Sequence, residues 1–252
     1  MTRSGWTYFV NFRDSFQAQC ETWKKEAVCG KDNWLGRLQK QAAEADKTPA
    51  YPLETSIVYN RSLDDVTQND LIKLILVGDN PGKNEQLAGN NRYLVGQAGK
   101  LGEGFFRKNP ELGIDFRKNV IILNKTPIHT AKTKQLALLC KNGGDRFNKL
   151  FEESQKWMAE QTALLQQKLK CSLWLVGYGE LRKSGLFSLY AETLKKEYEK
   201  KRKLSDADVY LYQHFSMNRF SIDLKSHYNG SITLAENLRS IGLMHRKEVI
   251  GW

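Results

Sequence analysis

Four short apolar runs, separated by stretches with helical spacing, are the feature that most constrains the fold of this chain. The runs are IKLILV at 72–77, NVIILN at 119–124, CSLWLV at 171–176 and DVYLYQ at 208–213. Such runs indicate short buried strands. Strands that alternate with helices are typical of a parallel sheet covered on both faces. The sequence therefore predicts an α/β fold, a three-layer α/β/α sandwich with a central four-stranded, largely parallel sheet.

Helical patterns fill the spaces between these strands. One helix is expected from about Ala98 and another from Leu186 into the run KKEYEKKRK. A long helix is expected at 145–169, because its apolar residues keep to one face of a 3.6-residue period. The segment SLDD at 62–65 also has the pattern of a helix N-cap, with a carboxylate in the capping-box position.

The first 60 residues have a different composition. Aromatic residues lie among charged ones between residues 5 and 45, including Trp6, Phe9, Phe12, Phe16, Trp23 and Trp34. This pattern predicts one or two helices, and DKTPAYP then interrupts them. We expect residues 1–60 to form an N-terminal helical extension packed on the core and residues 61–252 to form the α/β domain. Because no repeat or Gly/Ser linker separates the two, the chain is expected to be a single domain overall.

Charge and cysteine content restrict the classes of partner. Lys and Arg exceed Asp and Glu by 39 to 28, which gives a net charge of +11 and makes polyanions the first partners to consider. The N-terminus lacks a long apolar region and no run is long enough to span a membrane. We therefore expect no membrane partner and a cytoplasmic monomer, nucleoid-associated in a bacterium and nuclear in a eukaryote. Cys20, Cys29, Cys140 and Cys171 have no CxxC spacing and are expected to be reduced thiols.

Polar residues follow three of the predicted strands at the edge where ligands of parallel sheets bind. The first strand ends in Gly78-Asp79-Asn80-Pro81-Gly82, the second ends at Asn124, and the fourth is followed by His214. Nucleotide-phosphate loops do not explain these residues. The segment 78–84 is one residue short of a Walker A motif and lacks its Ser/Thr, and GYGELR at 177–182 lacks the third glycine of a dinucleotide fingerprint.

Three segments together resemble the uracil-DNA glycosylase superfamily. GDNPGKNEQLAGNNRYLVGQAGKL at 78–101 resembles its first motif, as found in the bacterial and archaeal branch that carries an iron–sulfur cluster. NVIILNKTP is similar to the strand whose final Asn reads the base, and HFSMNR resembles the His followed by a DNA-inserting loop. This resemblance covers residues 72 to about 220 and leaves the first 60 residues unexplained.

The resemblance implies a role for each residue. Asn80 would position the attacking water, His214 would donate to the O2 atom of uracil, and Asn124 would read its N3–H and O4 edge. The segments that match the motifs add further residues. Gly78, Pro81, Gly82, Tyr93 and Leu94 are expected at the base pocket, and the DNA-contacting loop is expected to contain Phe215, Ser216, Met217, Asn218 and Arg219.

Two of these assignments have alternatives. Asp79 stands where the iron–sulfur branch places its acidic residue, so either Asp79 or Asn80 is the water-positioning residue, and an Asn cannot act as a general base. The branch stacks a Phe on the base, whereas here Tyr93 would need a shift of one residue and Leu94 would give only an apolar wall. Taken singly, each of these polar residues also has an ordinary structural role in a turn or a cap.

The expected function is monofunctional excision of uracil, or a related deaminated base, from DNA. No motif places a lysine at the cleft, so no Schiff base is expected. The cysteine spacing does not fit the iron–sulfur cluster, and we expect no cofactor and no metal. Two rivals remain: a superfamily member that binds DNA or damaged bases without catalysis, and a hydrolase of small nucleosides or nucleotides.

Overall fold

Four parallel strands form the centre of the computed structural model, which describes residues 1–28, 32–200 and 208–252. The strands are β1 (Leu74–Gly78), β2 (Val120–Asn124), β3 (Ser172–Val176) and β4 (Val209–Tyr212), in the spatial order β2-β1-β3-β4. Nearly all their residues are buried, as expected where helices flank both faces. The predicted three-layer α/β/α fold, with a sheet that is fully parallel, is confirmed.

Within the described residues, eight α-helices surround this sheet. They are α1 (Arg3–Glu26), α2 (Trp34–Ala45), α3 (Gln97–Lys108), α4 (Gln135–Asn142), α5 (Gly144–Leu169), α6 (Ser188–Glu199), α7 (Arg219–Ser226) and α8 (Leu234–Ile250). The predicted helices at Ala98, 145–169 and Leu186 correspond to α3, α5 and α6. Cys29 and the lysine-rich run that follows Lys200 lie outside the described residues. The other three cysteines, Cys20, Cys140 and Cys171, are free thiols.

Aromatic side chains on one face of the sheet contact three of the helices. Trp174 of β3 packs against Phe106 of α3 and Phe220 of α7, with ring centroids 5.5 and 6.1 Å away. The hydroxyl of Tyr212 donates a 2.8 Å hydrogen bond to the carbonyl of Leu238 in α8. These contacts hold α3, α7 and α8 against the sheet.

The first helix packs against the outside of α5. Phe12 and Phe16 of α1 are buried and stack on Trp157 of α5, with centroids 6.3 and 5.4 Å apart, and Trp23 meets the same ring edge-on. The predicted helical segment at 5–45 is therefore two helices, of which α1 shares the core with α5 and α2 contacts α4.

One predicted helix start is wrong. No α-helix begins at SLDD; instead Asn60 caps a single 3₁₀ turn, Arg61–Leu63, by accepting from the backbone N–H of Ser62. The structure forms its complete capping box elsewhere, at Thr233 and Glu236, where α8 begins. None of the helices in the described ranges is long and apolar enough to cross a membrane.

Candidate active site

The carboxyl ends of the strands open on a cavity of about 760 Å³. Nine of the residues proposed from the sequence line it: Asp79, Asn80, Gly82, Leu94, Asn124, His214, Ser216, Met217 and Arg219. The loop after β3 also contributes to the wall, through Gly177, Gly179 and Glu180. All four strands thus deliver residues to one site, whereas the sequence indicated three.

Asn124 lies in the cavity wall with an unpartnered amide. The side chain is 2% exposed, and its Nδ2 atom is buried with no hydrogen-bond partner among the described residues. In the sheet register Asn124 is paired with Gly78, where an added Cβ would lie 2.6 Å from the Asn124 side-chain oxygen. Gly78 therefore does not line the cavity but leaves the space that Asn124 needs. An amide carries one donor and one acceptor end, and the buried Nδ2 of Asn124 would have to turn toward the cavity to reach a ligand edge.

Asp79 is engaged with a buried lysine. Nζ of Lys125, whose side chain is fully buried, donates to Asp79 Oδ1 at 2.5 Å and to the carbonyl of Val176 at 2.6 Å. Thr133 donates to the other carboxylate oxygen at 3.3 Å. At Gly177, where φ is +82°, a Cβ would lie 2.7 Å from the same carboxylate, so this position favours glycine. Asp79 is therefore the counterion of Lys125 as well as part of the cavity wall.

Asn80 has an anchored amide nitrogen. Its Nδ2 donates to the hydroxyl of Thr130 at 2.8 Å, and the carbonyls of Ile128 and Thr130 lie within 3.4 Å of the same nitrogen. Among the described residues no donor contacts the side-chain oxygen. Because the nitrogen is the anchored end, the oxygen is the atom that Asn80 can offer to a water in the cavity.

His214 is held in one tautomer. Its Nδ1 accepts from the backbone N–H of Ser216 at 3.1 Å and lies 2.7 Å from the Ser216 hydroxyl. An accepting Nδ1 leaves the proton of the neutral ring on Nε2, which is then a donor. Burial lowers the pKa of His214; Asp79 opposes this effect, and Lys125 and Arg219 add to it. The ring is therefore suited to donate a hydrogen bond while uncharged.

The turn after β1 is held by a histidine that none of the three resembling segments contains. Nδ1 of His129 donates to the carbonyl of Pro81 at 2.8 Å, and the Tyr51 hydroxyl lies 3.0 Å from its Nε2. Gln39 of α2 donates to the His129 carbonyl at 2.8 Å. Burial lowers the pKa of His129 to about 4, so the ring is neutral at physiological pH. Pro81 is buried and does not line the cavity; its carbonyl ties the site to the N-terminal extension.

The loop between β4 and α7 presents methionine rather than phenylalanine. Phe215 is 2% exposed and packs against Phe220 at 4.7 Å between ring centroids, so it is not available as a wedge. Met217 is 68% exposed at the rim of the cavity, and both Met217 and Asn218 have positive φ. Asn218 is exposed and is not among the described residues that line the cavity. Arg219, at the start of α7, lines the cavity and is exposed.

The base-stacking position suggested for Tyr93 does not agree with the structure. Tyr93 is fully buried in the core, where its hydroxyl donates to the carbonyl of Val58 at 2.6 Å. Leu94, with φ of +50°, is the member of this pair that lines the cavity, and so provides an apolar wall. Gly99 permits this turn, because a Cβ there would meet the Leu94 carbonyl oxygen at 1.6 Å.

Glu85 is a site residue that the sequence analysis missed. It lines the cavity, is 7% exposed, and accepts from the backbone N–H of Gly82 at 3.0 Å. Burial raises the pKa of Glu85 to about 7, against the lowering effect of hydrogen bonds from the backbone of Gly82 and Leu94. Its position three residues after Gly82 was the available signal, since this spacing lets a side chain close a turn.

Lysines do reach the cavity, contrary to the expectation from the motifs. Lys83, Lys132 and Lys134 line its wall. Asp46, the C-cap residue that follows α2, forms ion pairs with both Lys132, at 2.8 Å, and Lys134. Hydrogen bonds from these two lysines hold the pKa of Asp46 below its usual range. The N-terminal extension thus fixes the 130–134 loop, which no residue pattern in the first 60 residues indicated.

Comparisons with family models, with curated protein sequences and with solved structures found no match to this chain. The site is therefore interpreted from its own geometry and from the three sequence segments described above.

Proposed function

We propose that this protein is a DNA glycosylase, which flips uracil or a related deaminated base out of DNA and hydrolyses its N-glycosidic bond. The observation that carries the proposal is the buried, unpartnered amide of Asn124 in the cavity wall. A buried polar group without a partner costs about 1–3 kcal/mol, so a ligand that completes its hydrogen bonds gains that energy. The N3–H and O4 edge of uracil offers one donor and one acceptor, and cytosine offers the reverse pattern.

The other groups have the chemistry that this reaction needs. A water positioned by the Asn80 oxygen attacks C1′ of the deoxyribose as the C1′–N1 bond breaks and its electron pair leaves on the base. His214 donates from Nε2 to the base O2, where negative charge develops, and acts best as a neutral donor. The proton lost by the water ends on the departing base, so the products are free uracil and an abasic site.

Uracil-containing DNA is the proposed partner because of the charge and shape of the cavity rim. The chain carries a net charge of +11, and Arg219 and Lys83 lie at the same cavity as the exposed Met217. Cationic side chains bind phosphates, and an exposed apolar side chain can replace a flipped base in the stack. We propose that the protein acts as a monomer on cellular DNA, in the nucleoid of a bacterium or the nucleus of a eukaryote.

A second candidate is a DNA or damaged-base reader without catalysis. The observation in its favour is that no Phe, Tyr or Trp lines the cavity within the described part of the chain. Stacking of a base on an aromatic ring contributes about 1–3 kcal/mol to the binding free energy, so a cavity without such a ring binds a flipped base more weakly. A third candidate is a hydrolase of small nucleosides or nucleotides, for which the positive charge would have no role in binding.

The experiment that tests the proposal is an excision assay with purified protein. Labelled oligonucleotides would carry uracil in single strands, opposite G and opposite A, and alkali would cleave the abasic sites. We expect strand breaks with the wild type, few with His214→Ala and Asn124→Ala, and wild-type levels with Gln17→Ala, because Gln17 is exposed on α1 and lies outside the cavity wall. The absence of breaks, combined with DNA binding that falls steeply with salt, would favour the reader, and salt-insensitive binding would favour the small-substrate hydrolase.

A further inference from the structure

Asp223, His227 and His245 form a compact cluster at the contact between α7 and α8. One potential ligand atom from each residue lies within 4.8 Å of the other two. Nε2 of His245 lies 2.9 Å from Asp223 Oδ2, and Nδ1 of His227 lies 3.4 Å from Asp223 Oδ1. The same His227 Nδ1 lies 3.0 Å from the backbone carbonyl of Asp223 and from the Ser226 hydroxyl, contacts that a bound ion would replace. None of the three lines the cavity of the candidate active site. The cluster therefore calls for a separate explanation.

We propose that these three residues bind a divalent transition-metal ion, with zinc the best match to the donors. Two imidazoles and one carboxylate are a common ligand set for zinc, which takes nitrogen and oxygen donors at about 2.0–2.2 Å in a tetrahedron. Donor atoms arranged in this way are separated by about 3.3 Å. Two of the pairs here are 2.9 and 3.4 Å apart and the third is within 4.8 Å, so the side chains would shift slightly to bind an ion. A water molecule would be the fourth ligand. This proposal departs from the metal-free expectation, which rested on cysteine spacing alone.

The surroundings of His245 give an independent reason to expect a cation. Its side chain is 4% exposed, and its Nδ1 is buried without a hydrogen-bond partner in the described part of the chain. The nearest acid to that atom is Glu248, whose carboxylate is 3.7 Å away. A metal on Nε2 would keep the proton on Nδ1, where it faces Glu248, and a carboxylate behind a ligating histidine is the usual outer partner of such sites.

The proposed metal site lies between α7 and α8, and this position gives the ion a structural role in the loop that precedes α7. Asp223 and His227 belong to α7 and its C-terminal end, and His245 belongs to α8, so a bound ion joins the two helices. Next to it, the ring of Tyr178 lies 4.5 Å from that of His245, and the Tyr178 hydroxyl accepts from Gln213 at 2.9 Å. Since α7 starts at Arg219, an ion here would hold the segment that carries Met217. The proposed binding does not depend on the identity of the substrate in the cavity.

Zinc binding by the untagged, chelator-treated protein tests this proposal. Calorimetry with zinc chloride is expected to show one ion per chain, and cobalt(II) is expected to give the visible absorption of a four-coordinate site. His227 is the best ligand to remove, because its side chain is 39% exposed and His227→Ala should fold. That variant and Asp223→Asn are expected to lose the binding, whereas Glu248→Gln should weaken it by roughly tenfold.

His214→Ala is the matched control, because it removes a histidine and leaves the cluster intact. It should bind zinc as the wild type does, and zinc should raise the Tm of both proteins but not that of His227→Ala. Absence of binding to the wild type would overturn the proposal. Unchanged binding by a folded His227→Ala protein would do the same, since the ion would then lie elsewhere.

Discussion

Nζ of Lys125 lies 2.5 Å from Oδ1 of Asp79, and the lysine side chain is fully buried. A buried cation without its counterion is strongly destabilising, whereas replacement of both charges by neutral groups is often tolerated. The pair therefore gives Asp79 a structural role that has to be separated from any role in catalysis.

Replacement of Asp79 alone is expected to destabilise the fold. Asp79→Asn should lower the free energy of unfolding by about 3–5 kcal/mol, measured by urea denaturation, because Lys125 would remain charged and buried. The double variant Asp79→Asn/Lys125→Met should recover much of this loss. Asp65→Asn is the control, since the Asp65–Arg92 pair is exposed and should contribute less than about 1 kcal/mol. Equal losses of unfolding free energy in Asp79→Asn and Asp65→Asn would contradict a buried ion pair between Asp79 and Lys125.

Asn80 should limit the rate of base excision. An amide positions water but cannot accept its proton, so Asn80→Asp is expected to excise uracil faster than the wild type and Asn80→Ala more slowly. The new carboxylate would turn away from the carbonyls of Ile128 and Thr130, which accept from the amide in the wild type, and toward the cavity. Single-turnover rates on a uracil-containing strand measure this effect. An unchanged or lower rate in a folded Asn80→Asp protein would count against the assignment of Asn80 as the water-positioning residue.

The amide of Asn124 should lower the stability of the free protein and contribute to binding of the base. Leu has a similar shape and no unpaired polar atoms, so Asn124→Leu is expected to raise the free energy of unfolding by about 1 kcal/mol. The same variant should lose excision activity, and free uracil should stabilise the wild type but not the variant. Thermal unfolding with and without uracil measures both effects. A clear loss of stability in Asn124→Leu would show that the amide is already satisfied in the free protein.

Met217 should matter more for duplex than for single-stranded substrate. An inserted side chain offsets the cost of unstacking a base, and that cost is lower in a single strand. We expect Met217→Ala to reduce excision from duplex DNA by roughly tenfold, with a smaller effect on single strands. Asn218→Ala is the control, because Asn218 is also exposed and has the same backbone conformation. Equal losses on both substrates would assign Met217 a role other than insertion.

The sequence predicted the sheet and its polar edge well, for a physical reason. Buried parallel strands are continuous apolar runs, and their carboxyl ends necessarily meet at one edge, so Asn80, Asn124 and His214 had to lie together. Helix α8 was not among the predicted helices, although its start had a local signal, since Thr233 and Glu236 have the spacing of a capping box. The segment SLDD has a similar pattern, but the chain there is held by Asn60 in a 3₁₀ turn.

Side-chain direction could not be predicted in the same way. Phe215 and Met217 are both apolar and two residues apart, yet one packs on Phe220 and the other reaches solvent. The partners of Lys125 and Asp46 lie 46 and at least 86 residues away along the chain, and only the fold brings them together. Local patterns carry no information on such contacts, which is why the supporting role of the N-terminal extension was found only in the structure.

Glu85 should make stability depend on pH. Its pKa is raised to about 7 in the folded protein, whereas an unfolded chain binds the proton only below about pH 4.3. Between these values the folded state holds more protons, so the contribution of this group is complete below about pH 4 and is lost as the pH rises to about 7, by about 4 kcal/mol in all. Glu85→Gln cannot ionise and should lack this loss. Urea denaturation of the wild type and Glu85→Gln from pH 5 to pH 8 gives the difference between their free energies of unfolding. His129, whose pKa is lowered by burial, changes stability with pH in the opposite direction. This effect is the same in both proteins and cancels in the difference. A constant difference across this range would mean that Glu85 is ionised in the folded protein throughout.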